Sequence, residues 1–204
     1  MEPLDSEHNR IGTHFMQFDQ NIQDNEKLVE VLKSGGIAVI PTDTIYGMVG
    51  KALEPKTVQH IYEIRKRNLS KPCIILIGSM DDLEKFYIVL NEEQKEEIKK
   101  YWPGAVSIVF DCDNKNLEYL HCATNSLALR LPRNKNLQSL LNKVGPLIAP
   151  SANTEALPPS ENINQAQKYF GDKVDLYLDG GKITSKSSKI VRLHKDGSVD
   201  ILRE

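Results

Sequence analysis

Apolar residues along the chain occur alternately at helical spacing and in short continuous runs. Asn25 precedes four apolar residues at helical spacing, and Gly35-Gly36 follows them, which predicts a helix between Asn25 and the glycines. The next run, 37–40, is wholly apolar and ends at Pro41, which is typical of a buried strand. A helix and then a strand are therefore predicted in the first clearly patterned part of the chain.

The same alternation continues towards the C-terminus. Helices are predicted over 56–66, 80–86, 91–100, 137–143 and 160–170, and strands over 73–77, 106–110, 127–131, 147–149, 174–178, 190–193 and 199–202. Alternating helices and strands predict an α/β fold, and the last strands, which no helix separates, predict a mixed sheet. We therefore expect an α/β fold in a single domain, with a twisted mixed sheet flanked by helices.

The first 24 residues lack this regularity. They are polar, begin with acidic residues and contain a segment around 13–18 that is expected to form an edge strand. The rest of the chain has no internal repeat and no linker long enough to separate domains. We interpret 1–24 as an N-terminal arm and 25–204 as the domain.

Composition excludes several classes of protein. The chain has 204 residues, of which 40% are hydrophobic, and its net charge of −2 disfavours a protein whose whole surface binds nucleic acid or anionic lipid. Its cysteines, Cys73, Cys112 and Cys122, are too few and too scattered for a disulfide framework. Because no apolar stretch has the length of a membrane span and the N-terminus has no signal-peptide pattern, we expect a cytoplasmic protein with no membrane partner.

Charge is distributed unevenly along the chain. The first 30 residues have a net charge of −5, whereas 51–71 hold six basic and two acidic residues. Arg65 and Arg67 stand at the predicted end of a helix, where arginines can bind a polyphosphate bidentately or simply interact with the helix dipole. Because residues two apart do not share a helical face, both can face one ligand only if the helix ends near Arg65.

Two other segments place polar residues directly after predicted strands. The sequence PTDTIYG at 41–47 offers hydroxyl, carboxylate and phenol groups at a strand end, where α/β sheets bind ligands, and Ser151 and Asn153 follow the strand at 147–149. Both segments also fit ordinary turns. The sequence has no phosphate-binding P-loop, no nucleophile elbow around Ser151 and no metal-ligand spacing among its histidines and cysteines.

These segments occur together with others in a recognisable order. The motifs are PTDTIYG (41–47), RKR (65–67), WPG (102–104), LALRLP (127–132), GPLIAPSAN (145–153), VDLYLDGG (174–181), SSKIVRL (187–193) and ILR (201–203). Through them, 28–203 resembles the YrdC-like family. The resemblance implies a YrdC-like fold and a nucleotidyltransferase activity, the synthesis of threonylcarbamoyl-AMP and pyrophosphate from L-threonine, bicarbonate or carbon dioxide, and ATP. It also implies that a tRNA threonylcarbamoyl transferase complex uses the product to form N6-threonylcarbamoyladenosine at position 37 of tRNA.

The resemblance also implies roles for individual residues. ATP binding is expected from five residues, the first two of which would be catalytic: Arg65, Arg67, Ser151, Asn153 and Arg203. Threonine binding is expected from Thr44, Tyr46, Arg130 and Ser188. The expected cofactor is Mg²⁺, held mainly through the ATP phosphates, with no metal site on the protein.

The sequence departs from the family pattern at several positions. Arg65 replaces a common lysine, Asn68 a usual proline and Leu76 a frequent histidine, and the late E-S-T tag becomes Ser187-Ser188-Lys189. Two alternatives therefore stay open. One is a non-catalytic RNA-binding module of the same fold, with weak RNA binding through 51–71; the other is a family relative without synthase activity.

Overall fold

The structure, a computed structural model, describes residues 14–17 and 22–204. Its α-helices are α1 (Glu26–Lys33), α2 (Pro55–Arg65), α3 (Glu92–Ile98), α4 (Glu118–His121), α5 (Lys135–Val144) and α6 (Ile163–Phe170). Its strands are β1 (His14–Gln17), β2 (Ala38–Pro41), β3 (Tyr46–Lys51), β4 (Ile75–Leu76), β5 (Val106–Asp111), β6 (Ser126–Arg130), β7 (Leu147–Ile148), β8 (Leu176–Asp179), β9 (Lys189–Leu193) and β10 (Val199–Arg203). Short 3₁₀ turns lie at Ile22–Asp24, Met80–Phe86, Lys115–Leu117 and Gly171–Lys173.

The strands form one sheet with both parallel and antiparallel neighbours. Their order is β1-β8-β2-β3-β7-β4-β6-β5-β9-β10. Pairing is parallel between β1 and β8, β2 and β8, β4 and β6, and β5 and β9, and it is antiparallel between the other neighbours. The predicted mixed sheet is therefore confirmed.

Asparagine side chains begin most of the helices. The Asn25 Oδ1 accepts a hydrogen bond from the Leu28 backbone N–H at 2.9 Å, and Gly35 follows the helix with a φ of +85°, which a residue with a Cβ adopts only with strain. The same capping bond is made at α3, α5 and α6 by Asn91, Asn134 and Asn162. These side chains compensate the free N–H groups of each first turn, and the helix starts predicted at Asn25 and Asn91 are confirmed.

Apolar residues fill both sides of the sheet. In β2, Val39 packs into one core, whereas Ala38 and Ile40 pack into the other, because successive side chains of a strand point to opposite faces. Helices α1 and α5 contribute to the core on the Ala38 side, and α2 and α6 to the core on the Val39 side. Burial on both faces explains why β2 is apolar at every position.

Several elements are shorter than the sequence predicts, two of them near the cavity described below, and β3 and α4 have no predicted counterpart. The strand predicted over 73–77 pairs only at Ile75–Leu76, while Cys73 and Ile74 line a cavity. The helix predicted from Ser160 begins at Ile163, and the Ser160 Oγ instead donates to the Ala152 carbonyl at 2.6 Å. Cys73, Ile74 and Ser160 are therefore used by the cavity or by the segment that carries Ser151.

The N-terminal arm is described only in part. Strand β1 lies at one edge of the sheet, where an edge strand is predicted, but 1–13 and 18–21 lie outside the described residues. The boundary of the arm at residue 24 therefore stays a prediction. In the part of the chain that the structure describes, no helix has the length and apolar character needed to cross a bilayer.

Candidate functional site

A cavity of about 150 Å³ opens beside the ends of β3, β4, β6 and β7. Its polar wall includes Thr44, Arg67, Arg130, Ser151, Ser188 and Arg203, and its apolar wall includes Ile45, Ile74, Ala149 and Ile190. Six of the nine residues predicted to bind substrates therefore meet in one cavity, although the chain separates the first from the last by 159 positions.

Backbone pairing brings two of these segments together. The Met48 N–H donates to the Pro150 carbonyl and the Ala152 N–H to the Tyr46 carbonyl, each at 2.9 Å, and Gly47 pairs with Ser151 as a β-bridge. The turn after β2 and the segment after β7 are consequently held side by side, and Thr44 and Ser151 both line the cavity.

The turn between β2 and β3 is organised by one of its own hydroxyls. The Thr42 Oγ1 donates to the Ile45 carbonyl at 2.7 Å and accepts from the N–H groups of Thr44 and Ile45 at 3.2 and 3.3 Å. A side chain that bonds to nearby backbone fixes a turn without help from the rest of the fold. The turn thereby holds Thr44 at the cavity.

Arg130 brings a buried positive charge to the cavity. The residue is 4% exposed, and its Nη1 lies 3.1 Å from the Asp43 Oδ1. This ion pair lacks hydrogen-bond geometry, and neither the Nε nor the Nη1 of Arg130 has a hydrogen-bond partner. Burial lowers the pKa of Arg130, and the Asp43 carboxylate opposes that shift. A guanidinium with unused donors suits an incoming carboxylate or phosphate oxygen.

Arg65 supports the cavity from beneath. It is the last residue of α2 and is 1% exposed. Its Nε donates to the Asn153 carbonyl at 3.0 Å, and its Nη2 donates to the Asn153 Oδ1 at 3.2 Å and to the Ser151 Oγ at 3.4 Å. Burial lowers its pKa to about 10. Arg65 therefore holds the 151–153 segment and is not part of the cavity lining.

Arg67 reaches the cavity because the chain turns sharply at the end of α2. Lys66 adopts a left-handed conformation with a φ of +51°, so the helix ends at Arg65. This is the helix end that the sequence requires if Arg65 and Arg67 are to face the same ligand. The Arg67 Nε donates to the Lys71 carbonyl and its Nη2 to the Pro72 carbonyl, each at 3.0 Å. These two bonds fix the guanidinium at the cavity wall.

The segment before β9 and the end of β10 also line the cavity. The Arg203 Nη2 and Nε donate to the Ser188 carbonyl at 2.6 and 3.2 Å, and the Ser188 Oγ lies 2.9 Å from the Ser107 Oγ. Antiparallel pairing of β9 with β10 returns Arg203 to the start of β9. The serine and the arginine are thus neighbours at the cavity although 15 residues separate them.

Three predicted site residues do not line the cavity: Arg65, Tyr46 and Asn153. The hydroxyl of the fully buried Tyr46 accepts from the Gly180 N–H and donates to the Gly181 carbonyl, each at 2.8 Å, and burial raises the pKa of Tyr46 to about 12. A Cβ at Gly180 would lie 2.6 Å from the Pro41 Cβ, so this close approach requires glycine. A direct ligand contact by any of these three residues stays a prediction.

The described residues provide little to coordinate a metal ion. Among them, no group of three or more histidine, cysteine, aspartate or glutamate side chains could hold one. The Asp43 carboxylate near the cavity is already paired with Arg130. This donor set fits an ion that arrives with the phosphates of a nucleotide, and Mg²⁺ binding itself stays a prediction.

Two residues beside the cavity, Asp43 and Glu155, have no individual role predicted from the sequence. Asp43 lies within the PTDTIYG motif, but its partner Arg130 is 87 residues away, so only its position in the motif could have drawn attention to it. Glu155 binds the loop that carries Arg67, with its carboxylate 2.8 Å from the Lys71 Nζ. No local pattern marks that glutamate.

Comparison with protein families matches residues 30–204 to the Sua5/YciO/YrdC family model, which carries the description "telomere recombination". A Mycobacterium tuberculosis protein, provisionally named a threonylcarbamoyl-AMP synthase, is 33% identical over 154 residues, which cover 75% of this chain and 70% of that protein. The threonylcarbamoyl-AMP synthase of Pyrococcus abyssi is 28% identical over 152 residues, which cover 74% of this chain and 45% of that protein.

Solved structures share the fold. A double variant of P. abyssi Sua5 has a TM-score of 0.83 at 24% identity, with 94% of this chain and 60% of that chain covered. P. abyssi Sua5 complexed with L-threonine has a TM-score of 0.79 at 24% identity, with 89% and 54% covered, and E. coli YciO has 0.76 at 22% identity, with 94% and 95% covered. This chain thus spans only 54–60% of the Sua5 chains. At these identities the likeness shows the fold, and it confirms the predicted fold class.

Proposed function

This chain belongs to the Sua5/YciO/YrdC family, and we propose that it synthesises threonylcarbamoyl-AMP and pyrophosphate from L-threonine, bicarbonate or carbon dioxide, and ATP. One observation carries the proposal: the arginines Arg67, Arg130 and Arg203 line one cavity together with five hydroxyl side chains. Guanidinium groups bind phosphates and carboxylates, which are the charged groups of these substrates. The names of the relatives support the same activity.

The reaction needs no nucleophile from the protein. The amine of threonine combines with bicarbonate and releases water, or with carbon dioxide and releases a proton, to give a carbamate. A carbamate oxygen then attacks the α-phosphorus of ATP, and the bond to the pyrophosphate leaving group breaks. The protein accelerates this step by aligning the two reactants and by stabilising the negative charge of the triphosphate.

The nucleotide side of the cavity is assigned to the cations after α2 and at the end of β10. Arg67 and Arg203 neutralise the triphosphate, and the Ser151 Oγ donates to a phosphate or ribose oxygen. Asn153 and Arg65 support this side, because their mutual hydrogen bonds hold the segment that carries Ser151. Mg²⁺, when bound through the ATP phosphates, supplies further charge neutralisation.

The amino-acid side is assigned to three other residues of the cavity lining. Arg130 receives the threonine carboxylate with its unused donors, and the hydroxyls of Thr44 and Ser188 bond to the amino acid. The Tyr46 hydroxyl supports this side indirectly, because its hydrogen bonds hold the backbone of residues 180 and 181. We further propose that a tRNA threonylcarbamoyl transferase complex consumes the product to modify adenosine 37 of tRNA.

The test is a pyrophosphate assay on the purified protein with MgATP, L-threonine and bicarbonate. We expect pyrophosphate release that depends on threonine, together with a product whose mass is that of threonylcarbamoyl-AMP. Omission of threonine, and removal of bicarbonate by degassing, are the controls. Salt-dependent RNA binding without threonine-dependent pyrophosphate would contradict the proposal and favour the RNA-binding alternative.

A further inference from the structure

Glu155 connects the two segments that carry the proposed nucleotide-binding residues. Its backbone N–H donates to the Arg65 carbonyl at 2.9 Å. Its carboxylate accepts from the Asn68 N–H at 2.6 Å and from the Lys71 Nζ at 2.8 Å. One residue of the segment after β7 therefore binds the end of α2 and two positions in the loop that follows it.

The bonds of this loop lead from Glu155 to Arg67. Lys71 is held by Glu155 through its side chain, and its carbonyl accepts from the Arg67 Nε at 3.0 Å. The residue after Arg67, Asn68, donates its backbone N–H to the Glu155 carboxylate. The 68–71 loop is exposed at most positions, so few buried apolar contacts stabilise it. The placement of Arg67 therefore depends on polar bonds.

We propose that Glu155 is a positioning residue for Arg67, because it fixes the loop on which the Arg67 guanidinium is anchored. The inference rests on the proposed function in that Arg67 acts on the ATP phosphates. Glu155 itself does not line the cavity. Its effect on the reaction passes through the geometry of Arg67.

An isolated surface ion pair would not have this effect. The Lys71 side chain is 58% exposed, and exposed pairs contribute little to stability. Glu155 differs because the same carboxylate also accepts the Asn68 N–H, so both ends of the 68–71 loop are tied to one side chain. The expected consequence of its loss is local opening of the loop.

The charge of Glu155 allows positioning to be separated from electrostatics. A carboxylate beside Arg67 opposes the binding of ATP, so a purely electrostatic role predicts that Glu155→Gln lowers the KM for ATP and leaves kcat unchanged. A positioning role predicts that kcat falls, by about tenfold, since small misplacements of an aligned group carry large rate penalties. Glu161→Gln is the matched control, because Glu161 is a neighbouring exposed acid in a different ion pair, with Lys182.

A double-mutant comparison tests whether Arg67 transmits the effect. In the Arg67→Ala background, Glu155→Gln is expected to change kcat by less than twofold, because the group that it positions is gone. A loss of activity that is as large in this background as in the parent protein would overturn the proposal. So would an unchanged kcat for Glu155→Gln in the parent protein.

Hydrogen exchange measures the loop without turnover. We expect faster exchange of the 68–71 amides in Glu155→Gln than in the parent or in Glu161→Gln, and unchanged exchange overturns the proposal. Calorimetric titration with MgATP extends this test to a protein without synthase activity. If the parent releases no threonine-dependent pyrophosphate, the proposed function fails. The role of Glu155 is then decided by exchange and by a loss of MgATP affinity in Glu155→Gln that disappears in the Arg67→Ala background.

Discussion

The last turn of α2 and the loop directly after it carry the same kind of side chain in opposite environments. Arg65, in the last turn, is almost fully buried and donates to the segment at 151–153. Arg67, in the loop, is half-buried, lines the cavity and is anchored by two carbonyls of its own loop. Lys66 lies between them in a left-handed conformation that ends the helix, and the two arginine side chains therefore have different surroundings.

The comparison shows that a pair of arginines in a motif need not share one task. Arg65 holds the 151–153 segment through its Nε and Nη2, although its Nη1 has no hydrogen-bond partner, whereas a guanidinium that lines a cavity can stabilise charge in a ligand. We therefore expect loss of Arg65 to appear mainly in stability and loss of Arg67 mainly in catalysis. The predictions that follow test this division.

The largest effect is expected from Arg67→Ala. It should lower kcat/KM for pyrophosphate release by about two to three powers of ten, or about 3–4 kcal/mol of transition-state stabilisation, because charge on the triphosphate loses its partner. The free energy of unfolding in urea should change little. A variant as active as the parent would show that Arg67 does not act on the nucleotide.

The next effect is expected from Arg65→Met, which keeps the length of the side chain and removes its donors. The carbonyl and Oδ1 of Asn153 would be left buried without partners, so the free energy of unfolding should fall by about 2–3 kcal/mol. Urea denaturation measures this change. If stability is unaltered and the loss of activity is as large as that of Arg67→Ala, then Arg65 binds the ligand as Arg67 does. The proposed division between a structural and a ligand-binding arginine would then be wrong.

A third arginine, Arg130, is buried like Arg65 but is paired with an acid rather than with carbonyls. Asp43→Asn removes the charge that compensates Arg130 and should destabilise the protein by about 2 kcal/mol, less than a fully enclosed pair because Arg130 lines a cavity. Added phosphate should restore part of the loss by binding Arg130, and thermal melts with and without phosphate measure it. Stability equal to that of the parent would show that the ion pair contributes nothing.

The smallest effect is expected on the amino-acid side, away from both regions of the comparison. Serine lacks only the methyl group of threonine. If the cavity accommodates that methyl, the kcat/KM for serine should be lower by an amount that corresponds to about 1–3 kcal/mol of transition-state stabilisation. Arg67→Ala should reduce turnover of both amino acids alike, because it acts on the nucleotide. Equal turnover of serine and threonine by the parent would contradict a methyl-sensing wall.

Much of the fold could be predicted because its signals are local. The Asn25 cap, the glycine after α1 and the wholly apolar β2 each fix an element through bonds or burial within a few residues. The prediction was less accurate at β4 and at the start of α6, where Ile74 and Ser160 are used by the cavity or its neighbouring segment. At those positions tertiary contacts override the local pattern.

The site could be predicted as a set of residues but not as an arrangement. Motif order indicated Thr44, Ser151 and Arg203, which the structure brings to one cavity. It could not reveal that Arg65 is buried against the 151–153 segment, because helix periodicity does not say which distant segment a side chain contacts. It could not reveal Glu155, whose partners are more than 80 residues away and whose neighbours in sequence form no pattern.

The sequence by itself determined most of the helices and strands, with β3 and α4 as exceptions, and also the mixed α/β class and the family, since capping, periodicity and motif order are properties of neighbouring residues. Only the tertiary structure decided which cations face the cavity and which hold it together. Arg65 and Arg67 are chemically identical, and the difference between them arises from the turn at Lys66 and from the long-range bonds of Asn153 and Glu155. Such bonds depend on how distant segments pack, which no local pattern encodes.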